Sequence, residues 1–200
     1  MGTRREYRYN IPSQADCLNC HGKLSERVLG FGAIQLSHDL PGVKLTDLVD
    51  WGVMTTPPTS NSAGMGVGYD PPGSEAAQLA LGYLHANCGN CHNDRPGLAL
   101  ESVPEPQLLL RILVDDMTLE DTGVYQTAIN KAPTASMELP VEWRILGGDL
   151  GGTMTNSAVY YRMNDRGGID QMPPIASTEK DTEGLALILS WMQSLPPPAP

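Results

Sequence analysis

All four cysteines of this 200-residue chain fall in two copies of one pentapeptide pattern: Cys17-Leu18-Asn19-Cys20-His21 and Cys88-Gly89-Asn90-Cys91-His92. Cysteines three apart on a helical turn lie on one side of it. Both thiols of a copy can therefore add to vinyl groups of a single porphyrin. The histidine that follows at once then reaches the iron. This is the attachment signature of a c-type haem. Two copies predict two covalently bound haem c groups, tethered through Cys17, Cys20, Cys88 and Cys91, with His21 and His92 as the proximal iron ligands.

Other uses of four thiols fit the pattern less well. Two structural disulfides are one, but a bridge within C-x-x-C is usually a redox-active pair rather than a staple. A zinc site with four thiolates is another. Its two halves would stand unusually far apart along the chain, and neither zinc nor thiol redox chemistry explains a histidine after both pairs.

The flanking sequence positions each motif on a helix. Pro12 ends an extended lead-in, and Ser13 with Asp16 three residues on makes a shortened capping box for a helix carrying Cys17, Cys20 and His21, with Gly22 as its stop. Residues 28–36 read as an apolar, glycine-broken loop able to lie against the haem edge and offer a carbonyl to His21. Thr46 is placed to cap a short helix from Asp47 to Trp51, with Leu45, Leu48, Val49 and Val53 on its buried side. A loop from Thr55 to Gly73 contains Met65, and Met54 lies just before it.

Ser74 caps a helix from Glu75 to Asn87 whose apolar face is Ala77, Leu81, Leu84 and Cys88. That helix closes a first unit, residues 1–73, and opens a second, residues 74–200. Within the second unit residues 97–153 read as an inserted region: a short helix from Gln107 to Val114, then short strands at Val124–Ile129 and Val141–Leu146. The glycine cluster 147–152 reads as a turn, because no lysine follows it as in a phosphate loop. A helical turn or two is expected over Ser157–Met163, a loop over Gly167–Pro174, and an amphipathic helix over Thr182–Leu195 with Leu185, Ile188, Leu189, Met192 and Leu195 on one face. Pro196 ends it, and residues 196–200 read as a disordered tail.

Composition agrees with this plan. With 13 Lys and Arg against 23 Asp and Glu, the formal charge is -10, which argues against nucleic acid or an anionic membrane surface as the main partner. It suits docking to a basic patch on a redox partner protein. One Phe, 6% aromatics, 21 Gly and 17 Pro make a thin core for this length, one that a buried porphyrin would complete. No export signal or membrane span is visible, so the sequence reads as a mature form or a domain of something longer.

Helix with C-x-x-C-H, glycine loop, helix, Met-Pro-Pro loop and closing amphipathic helix together resemble a class I cytochrome c, through "YLHANCGNCH", "SAVYYRM", "QMPP" and "LALILSWMQSL". The whole chain resembles the di-haem cytochrome domains at the ends of secreted bacterial proteins, whose first unit opens as here with "YNIPSQADCLNCH". The resemblance implies a mainly α fold of two class I-like haem domains, a location in the periplasm or outside the cell, and electron transfer, with the chain fused to or serving a secreted oxidoreductase. It also implies Met172 as the second iron's distal ligand, since a Met/His pair raises the potential and leaves no open position. Most of the nine methionines are core fillers by default. For the first haem no Met-Pro follows the motif. Met65 is the topological match, with Met54 and His38 as rivals; pairing both irons with His38 and His85 is arithmetically open. The alternative function is a di-haem peroxidase or oxidase using an open distal site on the first haem.

Overall fold

The structure, a computed structural model, describes residues 11–22, 28–38, 41–56, 59–60, 64–65, 68–94, 108–133, 141–148 and 156–199. Helix predominates among them. In chain order these are α1 (Gln14–His21), α2 (Ala33–Leu36), α3 (Leu45–Asp50), α4 (Glu75–Asn87), a 3-10 turn (Leu119–Asp121), α5 (Gly123–Thr127), α6 (Ala158–Asn164) and α7 (Thr182–Ser194). Among the described residues, regular strand is confined to β1 (Thr59–Ser60) and β2 (Gly64–Met65), paired antiparallel. No helix among the described residues is long and apolar enough to cross a membrane.

α4 is the central element. Ser74 Oγ caps it by accepting the Ala77 N–H, and Glu75 in the first turn faces the positive end of its dipole. Its apolar stripe, Ala77, Ala80, Leu81 and Leu84, is fully buried. α4 packs on α2 and on α7, which also holds α6. From α7, Ile188, Trp191 and Met192 join the same cluster. Each such side chain contributes on the order of 2 kcal/mol through the apolar surface it removes from water. The cluster is continuous from Ile34, Leu45 and Tyr69 in the first half to Val124, Ile145 and Leu195 in the second.

Several expectations give way here. Residues 108–113 form no helix and carry no regular secondary structure, because their N–H groups bond outward: Leu109 to Thr127 Oγ1 and Leu110 to His92 O. Val124 sits in the helix α5, not a strand, since Thr122 Oγ caps the turn by accepting the Tyr125 N–H. Isolated parallel bridges, Ile129 to Ile145 and Trp143 to Ser157, replace the expected strands. The region expected to be an insertion thus supplies core, including Leu110, Ile112, Val124, Ala128 and Ile145.

Other corrections are smaller. α3 begins two residues earlier than expected, at Leu45 with Lys44 as its cap, the Lys44 N–H bonded to Asp47 Oδ2, and Val53 is exposed. Residues 33–36 form the short helix α2 inside the expected loop. Residues 196–199, expected to be disordered, lie against the glycine turn: Asn130 Nδ2 donates to Pro196 O at 3.0 Å, and a Cβ on Gly148 would meet Pro197 at 3.0 Å. The two glycines at 147 and 148 let the tail approach this closely.

The α4–α7 crossing depends on a missing side chain. Asp181 caps α7 through Oδ1, which accepts the Gly184 N–H at 2.8 Å, while its Oδ2 accepts the Tyr83 hydroxyl at 3.0 Å. A Cβ on Gly184 would lie 2.5 Å from the Tyr83 ring, and the ring cannot swing away without breaking that bond. Gly184→Ala is expected to cost about 1–3 kcal/mol, read as a melting midpoint lowered by about 2–4 °C per kcal/mol. An unchanged midpoint would show that the ring moves freely.

Candidate cofactor-attachment site

The first motif ends α1. Ser13 Oγ accepts the Asp16 N–H at 3.2 Å and Asp16 Oδ2 accepts the Ser13 N–H at 3.0 Å, so the expected capping box is present. The Ser13 hydroxyl, which donates to Asp16 Oδ2 at 2.7 Å, and after it the Ser13 N–H hold the Asp16 carboxyl below the usual carboxylate range. At the other end the Gly22 N–H reaches Leu18 O at 2.9 Å. A Cβ there would stand 2.6 Å from the same oxygen, which is why the turn after His21 takes glycine. Cys17 and His21 are exposed and Cys20 is half-buried.

The second motif is a turn closed onto the end of α4. Cys88 and Gly89 donate to Leu84 O, and Cys91 and His92 donate back to Cys88 O. The buried Asn93 amide donates to Gly89 O and Asn90 O, at 3.0 and 3.1 Å. Segment 108–112 then binds the turn from outside. Leu110 N–H donates to His92 O at 2.8 Å, and Ile112 N–H donates to Nδ1 of His85 at 3.1 Å. A Cβ on Gly89 would meet His85 O at 2.7 Å and Arg111 Cα at 2.9 Å. Cys88 packs against the core, and that burial pushes its thiol up to about 12; it stays a protonated thiol at neutral pH.

His85 is structural in this arrangement. Burial, with the Arg111 charge second, pushes its imidazole down to about 4. Accepting the Ile112 N–H requires a lone pair on Nδ1, so the neutral ring carries its proton on Nε2, an assignment made from the hydrogen bonding. A protonated Nε2 offers iron no lone pair.

The two motifs meet. Sγ of Cys20 and Sγ of Cys91 are 2.9 Å apart, across 71 residues of chain. The remaining predicted ligands occupy separate places. Met172 is half-buried in a loop held closed on itself: its N–H donates to Arg162 O at 3.0 Å and its carbonyl accepts from Arg166 Nη1 at 3.2 Å. The Arg166 charge also acts on Asp181 and Tyr83, which ties this loop to the α4 face that ends in the second motif. Met54 packs against the core. Met65 lies in β2 opposite Thr59. His38 is half-buried, and its Nδ1 has no hydrogen-bond partner among the described residues.

The chain's own features fit a porphyrin. Of the large apolar side chains left exposed among the described residues, seven lie in the first half: Ile11, Leu18, Val28, Phe31, Val43, Trp51 and Val53. Leu18 stands within the motif itself. Such a concentration on one unit is what a covering apolar plate would remove from water. In the second half the Trp191 indole N–H is buried with no acceptor among the described residues. By contrast, a four-thiolate zinc site needs all four cysteines to converge, and among the described residues no group of three or more Cys, His, Asp or Glu does so. A cavity of about 110 Å³ beside Ile34, Tyr69 and Ile112 touches neither motif.

Comparison with protein-family models, with curated proteins and with solved structures found no match. Sequence reasoning missed Asn93, Leu110, Ile112 and Trp191. The polar residue directly after the second motif and the tryptophan inside the last apolar stripe were the signals for two of them; the pairing of segment 108–112 with the motif left no local signature.

Two measurements check this geometry. Gly89→Ala should cost about 1–3 kcal/mol and lower cofactor loading at the second motif alone, read by peptide mass; equal loading would show that segment 108–112 yields. His85 binds its proton more weakly folded, at about 4, than unfolded, at about 6.5. Its contribution is whole above the unfolded value and is lost as pH falls from about 6.5 to about 4, by up to roughly 3 kcal/mol. Denaturant titrations of His85→Gln should show a flatter pH profile across that window; the same slope would assign the loss to other groups.

Proposed function

We propose that this protein is an electron-transfer module, a di-haem c-type cytochrome of two class I-like haem units that relays electrons between redox partners outside the cytoplasm. One observation carries the reading: the chain's entire thiol complement lies in two C-x-x-C-H motifs, each at the end of a helix with a histidine directly after its second cysteine. When bound, an iron porphyrin supplies a one-electron couple.

The chain's part is to tether, orient and shield. Cys17 with Cys20, and Cys88 with Cys91, form the thioether links, while His21 and His92 are the proximal ligands. The bonds around residues 88–93 fix where His92 points, which a ligand of defined geometry requires. Met172 is the proposed distal ligand of the second iron, carried by a loop whose backbone is held by Arg162 and Arg166. For the first iron Met65 is preferred. Met54 is packed against the core, and Nδ1 of His38 lacks, among the described residues, the acceptor that usually orients a ligating imidazole. The surplus of acidic groups suits docking to a basic patch of a partner protein and steers the encounter.

Intact mass of the purified protein should exceed the polypeptide by two haems, and a bare polypeptide mass would overturn the reading. Met172→Ala should then remove a sulfur–iron charge-transfer band, lower one of two reduction potentials and open that iron to carbon monoxide. An unchanged spectrum would assign the ligand elsewhere. Stable high-spin iron with peroxide turnover in the wild-type protein would replace the carrier by a peroxidase.

A further inference from the structure

The sulfurs of Cys20 and Cys91 stand 2.9 Å apart as free thiols. To form a disulfide they need close by only about 1 Å. The other two cysteines are placed differently: Cys17 is exposed, and Cys88 packs against the core. Oxidation within a motif would have to turn Cys20 away from Cys91, or draw Cys88 off that core to reach Cys91. A link across 71 positions also removes more freedom from the unfolded chain than either short loop within a motif.

The surroundings give such a bond a task. Among the described residues α1 adds no side chain to the core cluster, so packing holds it weakly. Cys91 belongs to a turn fixed by Cys88 O, by the Asn93 amide and by Leu110. A covalent bond from Cys20 to that turn anchors α1 on the body built around α4.

We infer that Cys20 and Cys91 form a disulfide across the two motifs in the chain before it receives haem, and that this one bond must be reduced before the motifs are loaded. Two S–H bonds are lost and one S–S bond forms. The two electrons and two protons pass to a disulfide-bearing oxidant, which leaves as its dithiol; an external dithiol reverses the step. A sulfur held in a disulfide cannot also form a thioether, so the cross-link takes one attachment thiol from each motif at once. The gating of attachment rests on the haem reading above, whereas the disulfide does not.

The test uses the full-length chain prepared without haem and treated with oxidised glutathione. After alkylation and tryptic digestion without reductant, the peptides of the two motifs should appear as one linked pair. Fragmentation should place the link at Cys20 and Cys91, with Cys17 and Cys88 alkylated. Cys20→Ser and Cys91→Ser should each abolish it, and Cys17→Ser should keep it. Bonds confined within the motifs, or four alkylated thiols, would overturn the disulfide, and the wild-type chain alone decides this. Ferrous iron protoporphyrin is then added to the oxidised chain, with and without prior dithiol. Covalent haem mass should be gained only after the dithiol. Equal gain without it would overturn the gate, and a cross-linked chain that takes no haem in either state would overturn the gate and the haem reading while leaving the disulfide standing.

Discussion

The turn from Cys88 to His92 is the constraint on which the second half of the molecule depends. It is a poor structure in isolation: a short polar pentapeptide with a glycine, past the end of a helix, with its carbonyls unsatisfied. Three separate parts of the chain close it. Leu84 takes the incoming N–H groups, the Asn93 amide takes the carbonyls of Gly89 and Asn90, and Leu110 takes that of His92. Ile112 adds a bond to His85 one turn back on α4. Segment 108–112 is the part that reaches the turn from the far side of the chain, through His92 O and His85 Nδ1.

That arrangement explains why a neutral histidine is buried at the root of the motif. Burying an imidazole forfeits its hydration, a cost met here by the Ile112 N–H. In return the last turn of α4 and segment 108–112 cannot slide past one another, since both His85 and His92 would lose partners together. The Arg111 side of the segment cannot tilt inward either, because Gly89 already lies at contact distance from its backbone. A rigid root matters most where a ring must present one nitrogen along one direction, which is the task proposed for His92.

What was legible in the sequence follows from how local its causes are. Ser13 with Asp16, and Ser74 before a run of Ala and Leu, mark α1 and α4 to the residue because a cap and the helix it starts lie within four positions. α7 is as clear, from its apolar repeat and Pro196. The region after the second motif was misread because its structure is decided at a distance. Leu-Leu-Leu-Arg-Ile-Leu over residues 108–113 has good helix formers, yet its N–H groups find better partners on Thr127, His92 and His85, far along the chain. Val124 to Ile129 is β-branched at its ends, but Thr122 caps a helical turn there. The tail residues 196–199 lack any hydrophobic signal, and what holds them is two glycines and Asn130 some distance before. The motif residues themselves were legible by type and spacing; their mutual approach at Cys20 and Cys91 was not, since nothing local couples positions 71 residues apart.

The uneven core bears on the same question. Around α4 and α7 the apolar residues are deeply buried, while residues 11–53 leave Trp51, Phe31 and Val53 largely in water. α1 carries Cys17 and Leu18 outward, and Trp51 and Val53 just after α3 face solvent, as though a surface belonged between these elements and another body. On the proposed reading that body is the first porphyrin, and the first unit is the one whose folding depends more on attachment. The second unit, with α4, α7 and segment 108–112 already packed, would keep its shape around Cys88–His92 before any bond to the cofactor is made.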